Sequence, residues 1–571
     1  MKQLPLEAQR LVELPIEEPI DADNAAQEYT RAYAHSPNAP TMTLRPIQGQ
    51  MLAEAKRAGG LVAMAACGEG KTLTSLLLPS VLGAKRPLIL LPASMRAQYM
   101  SDRASYGEHF RLVEMPCMSY EGLSSPGQVA KLDELAPDLI ICDEAHHLKN
   151  LRSARVRRLE SYLLKSGALF CALSGTLVSR SLREYAHVAN WALGVWSPLP
   201  RPNDLIEAWA RVIEDKDALK TQRAWHDASA WRFDTDPERA LHKRLRCARG
   251  VVITRSQEVG ASLVIERRSY RQPTKLKEAI SKLLETQDVV SATHDVLTPE
   301  ALERIVDSRD LWTPQDAVYS RVWAQVAMGF VYVWEWGGRA PDTEWIEARR
   351  AWSSAVQWGL DRFGYDSEAL LKRAIIKGEL THKRLTGAFD AWEAVSDRPA
   401  PTTKAIWLDD TWARDIATWA TKQDDPPLVW VGLHAVADKI ASLTGAAVYG
   451  GGAEASARLN ERKDRAHLAV VSIASHGTGK NLQAWGRQIV AHPLAHPARW
   501  EQMLARTHRP GQLRDEVSCA VYAHGLFGRA FRRAVDDARY VYETTGQKQR
   551  LTYAVQKKVT WGVDRMNKTD L

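Results

Sequence analysis

Two sets of short apolar runs, set apart by a long stretch of helical spacing, organise this chain. The first set occupies residues 61–66, 87–91, 138–142 and 169–173. The second begins near Pro427, with 428–433, 446–449, 468–473, 488–492 and 517–522. These runs are apolar throughout rather than alternating, and segments with a 3.6-residue period separate them. A strand that is apolar on both faces is covered on both faces, so the pattern predicts βαβ units and parallel sheets flanked by helices. The expected fold class is α/β, with two lobes of this kind.

Between the lobes, residues 271–402 change character. Long helical charge patterns there carry Trp312, Trp323, Trp334, Trp336, Trp345, Trp352, Trp358 and Trp392, eight of the 20 tryptophans in the chain, and a helical insertion is predicted. Indole rings are costly to leave exposed, so packing between helices is one reading of them; stacking on nucleic-acid bases is the other. The Asp-Asp-Pro-Pro run at 424–427 has the composition of a lobe boundary. The expected division is an N-terminal extension over 1–43, a first lobe over 44–270, the insertion over 271–402, a second lobe over 403–545 and a basic tail over 546–571.

Length supports this division, since 571 residues exceed what one core holds. Lys and Arg number 76 against 68 Asp and Glu, a net charge of +8, which favours a polyanionic partner. The six cysteines are scattered, with neither the paired spacing of a zinc site nor a dense framework of bridges, as expected of reduced thiols in the cytoplasm. The N-terminal stretch is acidic, and no apolar run is long enough to span a bilayer, so no membrane association is expected.

Two segments carry chemistry. Residues 65–72, Ala-Ala-Cys-Gly-Glu-Gly-Lys-Thr, follow a predicted strand and open a predicted helix. Gly68, Glu69 and Gly70 would form a loop whose backbone N–H groups approach phosphates, Lys71 would reach the β- and γ-oxygens, and Thr72 would bind Mg2+. The run 138–142 ends in Asp143-Glu144-Ala145-His146-His147. From the end of a buried strand, Asp143 can hold the magnesium ion and Glu144 can polarise the attacking water. Ala65 stands where such loops usually begin with Gly. Further on, Gln502, Arg506 and Arg509 precede Pro510-Gly511-Gln512, and the two arginines are spaced to share a helix face. Such a face is either solvated or a donor to a γ-phosphate.

In order along the chain, these segments and several others resemble the blocks of helicase superfamily two (DEAH-box) ATPases, and within it the Swi/Snf-like branch of DNA translocases. Residues 44–48 (LRPIQ) resemble the adenine-reading segment, with Gln48 the implied base contact. The stretch 88–94 (LILLPAS), with Pro92 and Ser94, resembles a block that touches one DNA strand, and Ser119-Tyr120-Glu121 the next. Ser174-Gly175-Thr176 resembles the segment that couples hydrolysis to DNA contact, and 245–255 the stretch leaving the first lobe. In the second lobe, 429–433 resembles the opening strand. The block 477–483 resembles the Gly-rich DNA-proximal one, implying Gly477 and Asn481 near DNA and Gly479 near nucleotide. The ending His508-Arg509-Pro510-Gly511-Gln512 is close to that of the family.

The resemblance implies two RecA-like lobes that close on ATP and Mg2+. Lys71, Asp143 and Glu144 would act from one side and Gln502, Arg506 and Arg509 from the other, giving a DNA-dependent ATPase that moves along duplex DNA. A strand-separating DNA or RNA helicase and a nucleotide-gated nucleic-acid-binding scaffold are the alternatives. Two departures bear on coupling: Leu177 follows Thr176 where the family has Pro, and His492-Pro493 stands where it has Asp-Pro. Basic clusters at Arg152, Arg155, Arg157 and Arg158, and at Arg239, Lys243, Arg244, Arg246 and Arg249, offer a phosphate track or a solvated helix face. His146 and His147 lack a second pair at zinc-like spacing, which points to a structural or coupling role. The tail from Lys548 to Lys568, with Trp561, would grip DNA or pack on the second lobe.

Overall fold

The apolar runs of the first set become one parallel sheet. In the computed structural model, which describes residues 6–559 apart from 125, 152, 215–235, 255–258, 271, 287–288, 290–292, 295–296, 298–315, 364 and 366, its strands are β1 (Leu61–Met64), β2 (Pro87–Leu91), β3 (Cys117–Ser119), β4 (Leu139–Asp143), β5 (Leu169–Leu173) and β6 (Val251–Ile253). They lie in the order β3-β2-β4-β5-β1-β6, with all pairings parallel. Successive residues separate to opposite faces. Val62, Met64, Leu88, Leu90, Ile140 and Cys142 enter one buried cluster, and Leu61, Ala63, Ile89, Leu91, Ile141 and Cys171 enter another. Both faces are dry, which is why these strands show no polar alternation.

The chain divides into two compact units. The first comprises Met1–Glu258, Gly364–Asp366 and Val535–Tyr553, and the second Val259–Phe363, Ser367–Ala534 and Ala554–Leu571. In the second unit, β7 (Ser262–Arg268) precedes an antiparallel pair, β8 (Phe330–Glu335) and β9 (Thr402–Trp407). Then come β10 (Leu428–Val431), β11 (Ala447–Tyr449), β12 (Ala469–Ser472), β13 (Arg487–Ala491), β14 (Glu516–Tyr522) and β15 (Val555–Val559). Seven of these form a second parallel sheet, β11-β12-β10-β13-β14-β7-β15. The fold is thus α/β with two large parallel sheets flanked by helices, an arrangement compatible with two RecA-like lobes.

Several boundaries differ from the sequence expectation, and residues 535–553, assigned to the second lobe and the tail, fall in the first unit. Strand β7 lies within the range assigned to the first lobe, yet it pairs along its whole length with β14. Its polar end concealed it, because Arg268 is buried against Asp415 rather than exposed. Strand β15 falls in the expected tail and pairs with β7, so residues 555–559 pack on the second sheet; Trp561 and the rest of the tail to Lys568 lie outside the described residues. The insertion is not purely helical, since β8 and β9 form a two-stranded sheet beside the helices Thr343–Phe363, Glu368–Ile376 and Lys383–Ser396.

Packing accounts for the tryptophans that are deeply buried. Trp334, Trp336 and Trp345 meet one another edge-on, with centroids 5.7–6.3 Å apart, and Trp352 is buried against Phe389. Trp323, Trp358 and Trp392 are half-buried, and Arg384 lies over the face of Trp358. Trp312 lies outside the described residues.

The N-terminal extension is part of the first unit. Leu11 of the helix Leu6–Glu13 joins its core, and the Arg10 guanidinium donates to the carbonyls of Val195, Ser197 and Leu199. The helix Ala22–Tyr33 crosses the helix Pro46–Ala58 at Gly49, where a Cβ would stand 2.3 Å from the Ala26 nitrogen; only glycine permits that approach. Among the described residues no helix is long and apolar enough to cross a membrane.

Candidate active site

The chemistry-bearing segments of the first unit converge because parallel strands share one carboxyl edge. In register, Ala63 of β1 stands level with Leu173 of β5, which stands level with Asp143 of β4. The residues that follow, 65–72, 174–176 and Asp143-Glu144, therefore leave the same edge of the sheet.

The loop after β1 is held in a conformation that glycine makes accessible. Gly68 and Gly70 have φ of 95° and 76°, and Gly70 caps the helix Lys71–Leu82. A Cβ at Gly70 would stand 2.2 Å from Gln48 Nε2 and 2.6 Å from the Arg45 guanidinium, so two side chains close over the loop. Arg45 donates to the Gly68 carbonyl at 2.8 Å and Gln48 to the Gly70 carbonyl at 3.2 Å, while Gln48 Oε1 accepts from the Arg45 nitrogen. Gln48, implied by the resemblance to read a base, is thus also a strut of the loop. Glu69 and Lys71 are buried, and Lys71 Nζ donates to the carbonyls of Ala65 (2.9 Å) and Ala66 (3.1 Å). Thr72 is half-buried at the first helical turn, where backbone N–H groups lack intrahelical partners. Thr254 Oγ1, just beyond β6, accepts from the Ala66 nitrogen.

Across β5, Asp143 is buried, and its carboxylate accepts from the Glu144 nitrogen. Burial, and then the Glu144 charge, push the Asp143 carboxyl up to about 7, against the opposing pull of the Lys71 ammonium. Both causes disfavour the ionised form of this carboxyl. A divalent cation would remove that penalty, so Asp143 and the Thr72 hydroxyl fit a magnesium ion that takes its other ligands from phosphate and water. No cluster of three or more His, Cys, Asp or Glu able to hold a metal occurs among the described residues, and such a magnesium site needs none.

Glu144 adopts the left-handed conformation (φ 56°), unusual for a residue with a Cβ and a mark of stored backbone strain. Its carboxylate lies 3.2 Å from His146 Nδ1, which in turn lies 3.1 Å from Ser174 Oγ and 3.2 Å from Thr176 Oγ1. His146 therefore links Glu144 to the turn after β5. His147 stacks on Tyr120 at 5.1 Å, and burial lowers its imidazole to about 4, keeping it neutral. Tyr120 also donates to the Asp143 carbonyl. Leu177, the departure at the coupling segment, is a fully buried core residue.

Two implied DNA-proximal blocks adjoin at the ends of β2 and β3. Glu121 accepts from the Ala93 nitrogen, Pro92 starts a short turn, and Ser94 is exposed. The basic clusters fare unevenly. Arg239, Lys243 and Arg246 are exposed. Arg244, by contrast, is buried and donates to the Leu11 carbonyl, and Arg249 pairs with Glu17 and lies over Trp196. Those two anchor the N-terminal extension through the hydrogen bond to Leu11 and the ion pair with Glu17. Arg157 is exposed, Arg158 donates to the Leu123 carbonyl, and Arg152 and Arg255 lie outside the described residues.

In the second unit the helix Pro497–Thr507 carries Gln502 and Arg506, but it stops before Arg509. The two arginines therefore do not share a helix face as their spacing predicted. Pro510 disfavours helical backbone at the residue before it, so Arg509 enters a turn. Tertiary contacts gather the residues instead. Arg506 donates to the carbonyls of Gln502 (2.8 Å) and Lys480 (3.2 Å), Arg509 donates to the Asn481 side chain, and Gln483 donates to the Pro510 carbonyl. Gly479, with φ of 71°, turns the 477–483 block toward them, and Gly477 packs on the Ile473 carbonyl. His492, the second departure, is half-buried with its ring against Gly432.

Three contributors escaped the sequence reading. Arg45 had a signal, since it precedes Pro46 and stands three residues before Gln48, as in a helix-start pattern. Thr254 and Gln547 had none; Gln547 donates to the carbonyls of Met64 and Gly175 from 483 and 372 residues away. No family model matches the chain, and no curated protein matches it either.

Proposed function

We propose that this protein hydrolyses ATP with magnesium and uses the hydrolysis to move along duplex DNA. The observation that carries this reading is the single sheet edge that presents a left-handed glycine loop with Lys71, a buried Asp143, and a strained Glu144 tied through His146 to Ser174 and Thr176. Magnesium, when bound, supplies Lewis-acid charge to the phosphate oxygens, with Thr72 and Asp143 as its protein ligands. Lys71, now bonded to its own loop carbonyls, exchanges them for phosphate oxygens. Glu144 orients the attacking water, and His146 holds its carboxylate in place. The duplex track rests on the Swi/Snf-like order of blocks, on the basic excess, and on the exposed Ser94, Arg239, Lys243 and Arg246.

The test is the ATPase rate of the purified chain alone and with duplex DNA, single-stranded DNA or RNA, each at two salt concentrations. The expected result is stimulation of about tenfold or more by duplex, weakened by salt because phosphate contacts release counterions. Equal rates with and without duplex overturn the translocase; absence of turnover under every condition overturns the ATPase.

A further inference from the structure

At the carboxyl end of the first sheet, the last ladder bond between β1 and β5 runs from the Ser174 nitrogen to the Ala63 carbonyl. Beyond it the two chains part. One becomes the phosphate loop and the other the Ser174-Gly175-Thr176 turn, while the Met64 carbonyl accepts from the Thr254 nitrogen just beyond β6. Gln547 bridges the diverging chains by donating to one carbonyl of each. Its side-chain Nε2 donates to Gly175 O at 3.0 Å and to Met64 O at 3.3 Å, at a residue only 1 % exposed.

We infer that Gln547 is a positioning residue for the nucleotide site, setting the separation between the phosphate loop and the turn that holds His146 beside Glu144. This rests on the ATPase reading. A primary amide is the only neutral side-chain group with two N–H donors on one nitrogen, so it can bridge two acceptors without burying a charge. The path from it to the chemistry is short. Gly175 packs so tightly against the loop that a Cβ there would stand 3.2 Å from Ala65 O and 3.5 Å from Cys67 N, and Ala65 O is the acceptor that holds Lys71 Nζ. On the other side, Ser174 and Thr176 flank Gly175 and both contact His146. A shift of Gly175 therefore reaches Lys71 and Glu144 together.

The local structure presents Gln547 rigidly. Gly546, with φ of 77°, ends the helix Gly525–Thr545, and its N–H returns to the Tyr542 carbonyl. A Cβ on Gly546 would meet His242 at 2.3 Å. The Gln547 nitrogen donates to Thr545 Oγ1, which in turn donates to the Val541 carbonyl, and Val541 is a core residue.

The experiment compares the full chain with Gln547→Met, which keeps length and burial but has no donor, and with Gln547→Glu, which sets a carboxylate against two carbonyl oxygens. Three readouts are taken: kcat and KM for ATP, affinity for a fluorescent ATP analogue, and amide hydrogen exchange of peptides covering 61–72 and 172–178. For Gln547→Met the expected result is a kcat about tenfold lower, with analogue affinity within about twofold. Exchange should quicken in those two segments and not elsewhere in the first unit, and Gln547→Glu should show both effects more strongly. Unchanged exchange in the two segments, or exchange quickened throughout the unit with kcat and affinity falling together, overturns the inference in favour of a merely structural side chain. Should the wild-type chain prove to have no turnover, the ATPase reading fails by itself, and the exchange comparison still decides whether Gln547 sets the loop against the turn.

Discussion

The edge of the first unit that carries the Gly68–Gly70 loop and the arginine segment of the second are both polar and both largely buried, yet they are built in opposite ways. The first is under tension. Gly68 and Gly70 are left-handed, Glu144 is left-handed despite its Cβ, and Asp143 carries a carboxyl that burial raises to about 7. The second is satisfied, with the Arg506 guanidinium received by the Gln502 and Lys480 carbonyls and Arg509 by Asn481. The difference teaches where each half keeps its reactivity. A buried carboxyl raised this far resists ionisation, whereas an arginine, always charged, is stabilised by the carbonyls that receive it.

Glu144→Gln probes the strained side and carries the largest expected effect. Turnover should fall by roughly a thousandfold or more while ATP binding persists, because the amide keeps the shape but loses the charge that orients water. ATPase rate and analogue binding, measured on the same preparation, check this; retained turnover would remove Glu144 from its role. Arg506→Ala probes the satisfied side. It should lower kcat by about a hundredfold or more while costing the second unit only part of its stability, since two carbonyls lose a donor, and Arg506→Lys should rescue kcat poorly because an ammonium lacks the planar fork. Thermal unfolding and kcat, read together, separate loss of function from loss of fold.

Asp143→Asn sharpens the contrast through pH. Because the folded-state value of Asp143 lies above its unfolded value near 4, its contribution to stability is complete below about pH 4 and is lost as pH rises through about 7 in the metal-free chain. The asparagine variant does not titrate. Its stability should match wild type below about pH 4 and exceed it by a growing margin as pH rises toward and past 7, with Mg2+ and ATP erasing the gain by binding only the wild type. Denaturant unfolding at pH 4 and pH 8 measures this, and an advantage confined to low pH would contradict it.

Much of the sheet architecture was legible because a strand covered on both faces leaves an unbroken apolar run; β1, β2, β4 and β5 announce themselves in this way. Strand β7 did not, since its Arg268 is neutralised by Asp415, a partner more than a hundred residues away. The pairing of β8 with β9 was hidden for a related reason: the two strands stand some seventy residues apart in sequence, so no turn signal joins them. In the candidate site, residues whose chemistry depends on backbone conformation, Gly68, Gly70 and the Asp143-Glu144 pair, are visible in local spacing. Arg509 was misplaced on a helix face because spacing records periodicity but not the end that Pro510 imposes.

By itself, then, the amino-acid order determined the two α/β sets, the loop at 65–72 and the acidic pair at the end of β4, since each follows from local periodicity or from what a glycine, lysine or carboxylate can do within a few residues. Only the tertiary structure decided that β7 and β15 join the second sheet, that Arg244 and Arg249 anchor the N-terminal extension, and that Gln547 bridges Met64 and Gly175. Those outcomes depend on which buried polar group finds which distant partner, and the cost of leaving such a group unpaired is settled by packing rather than by neighbours in sequence.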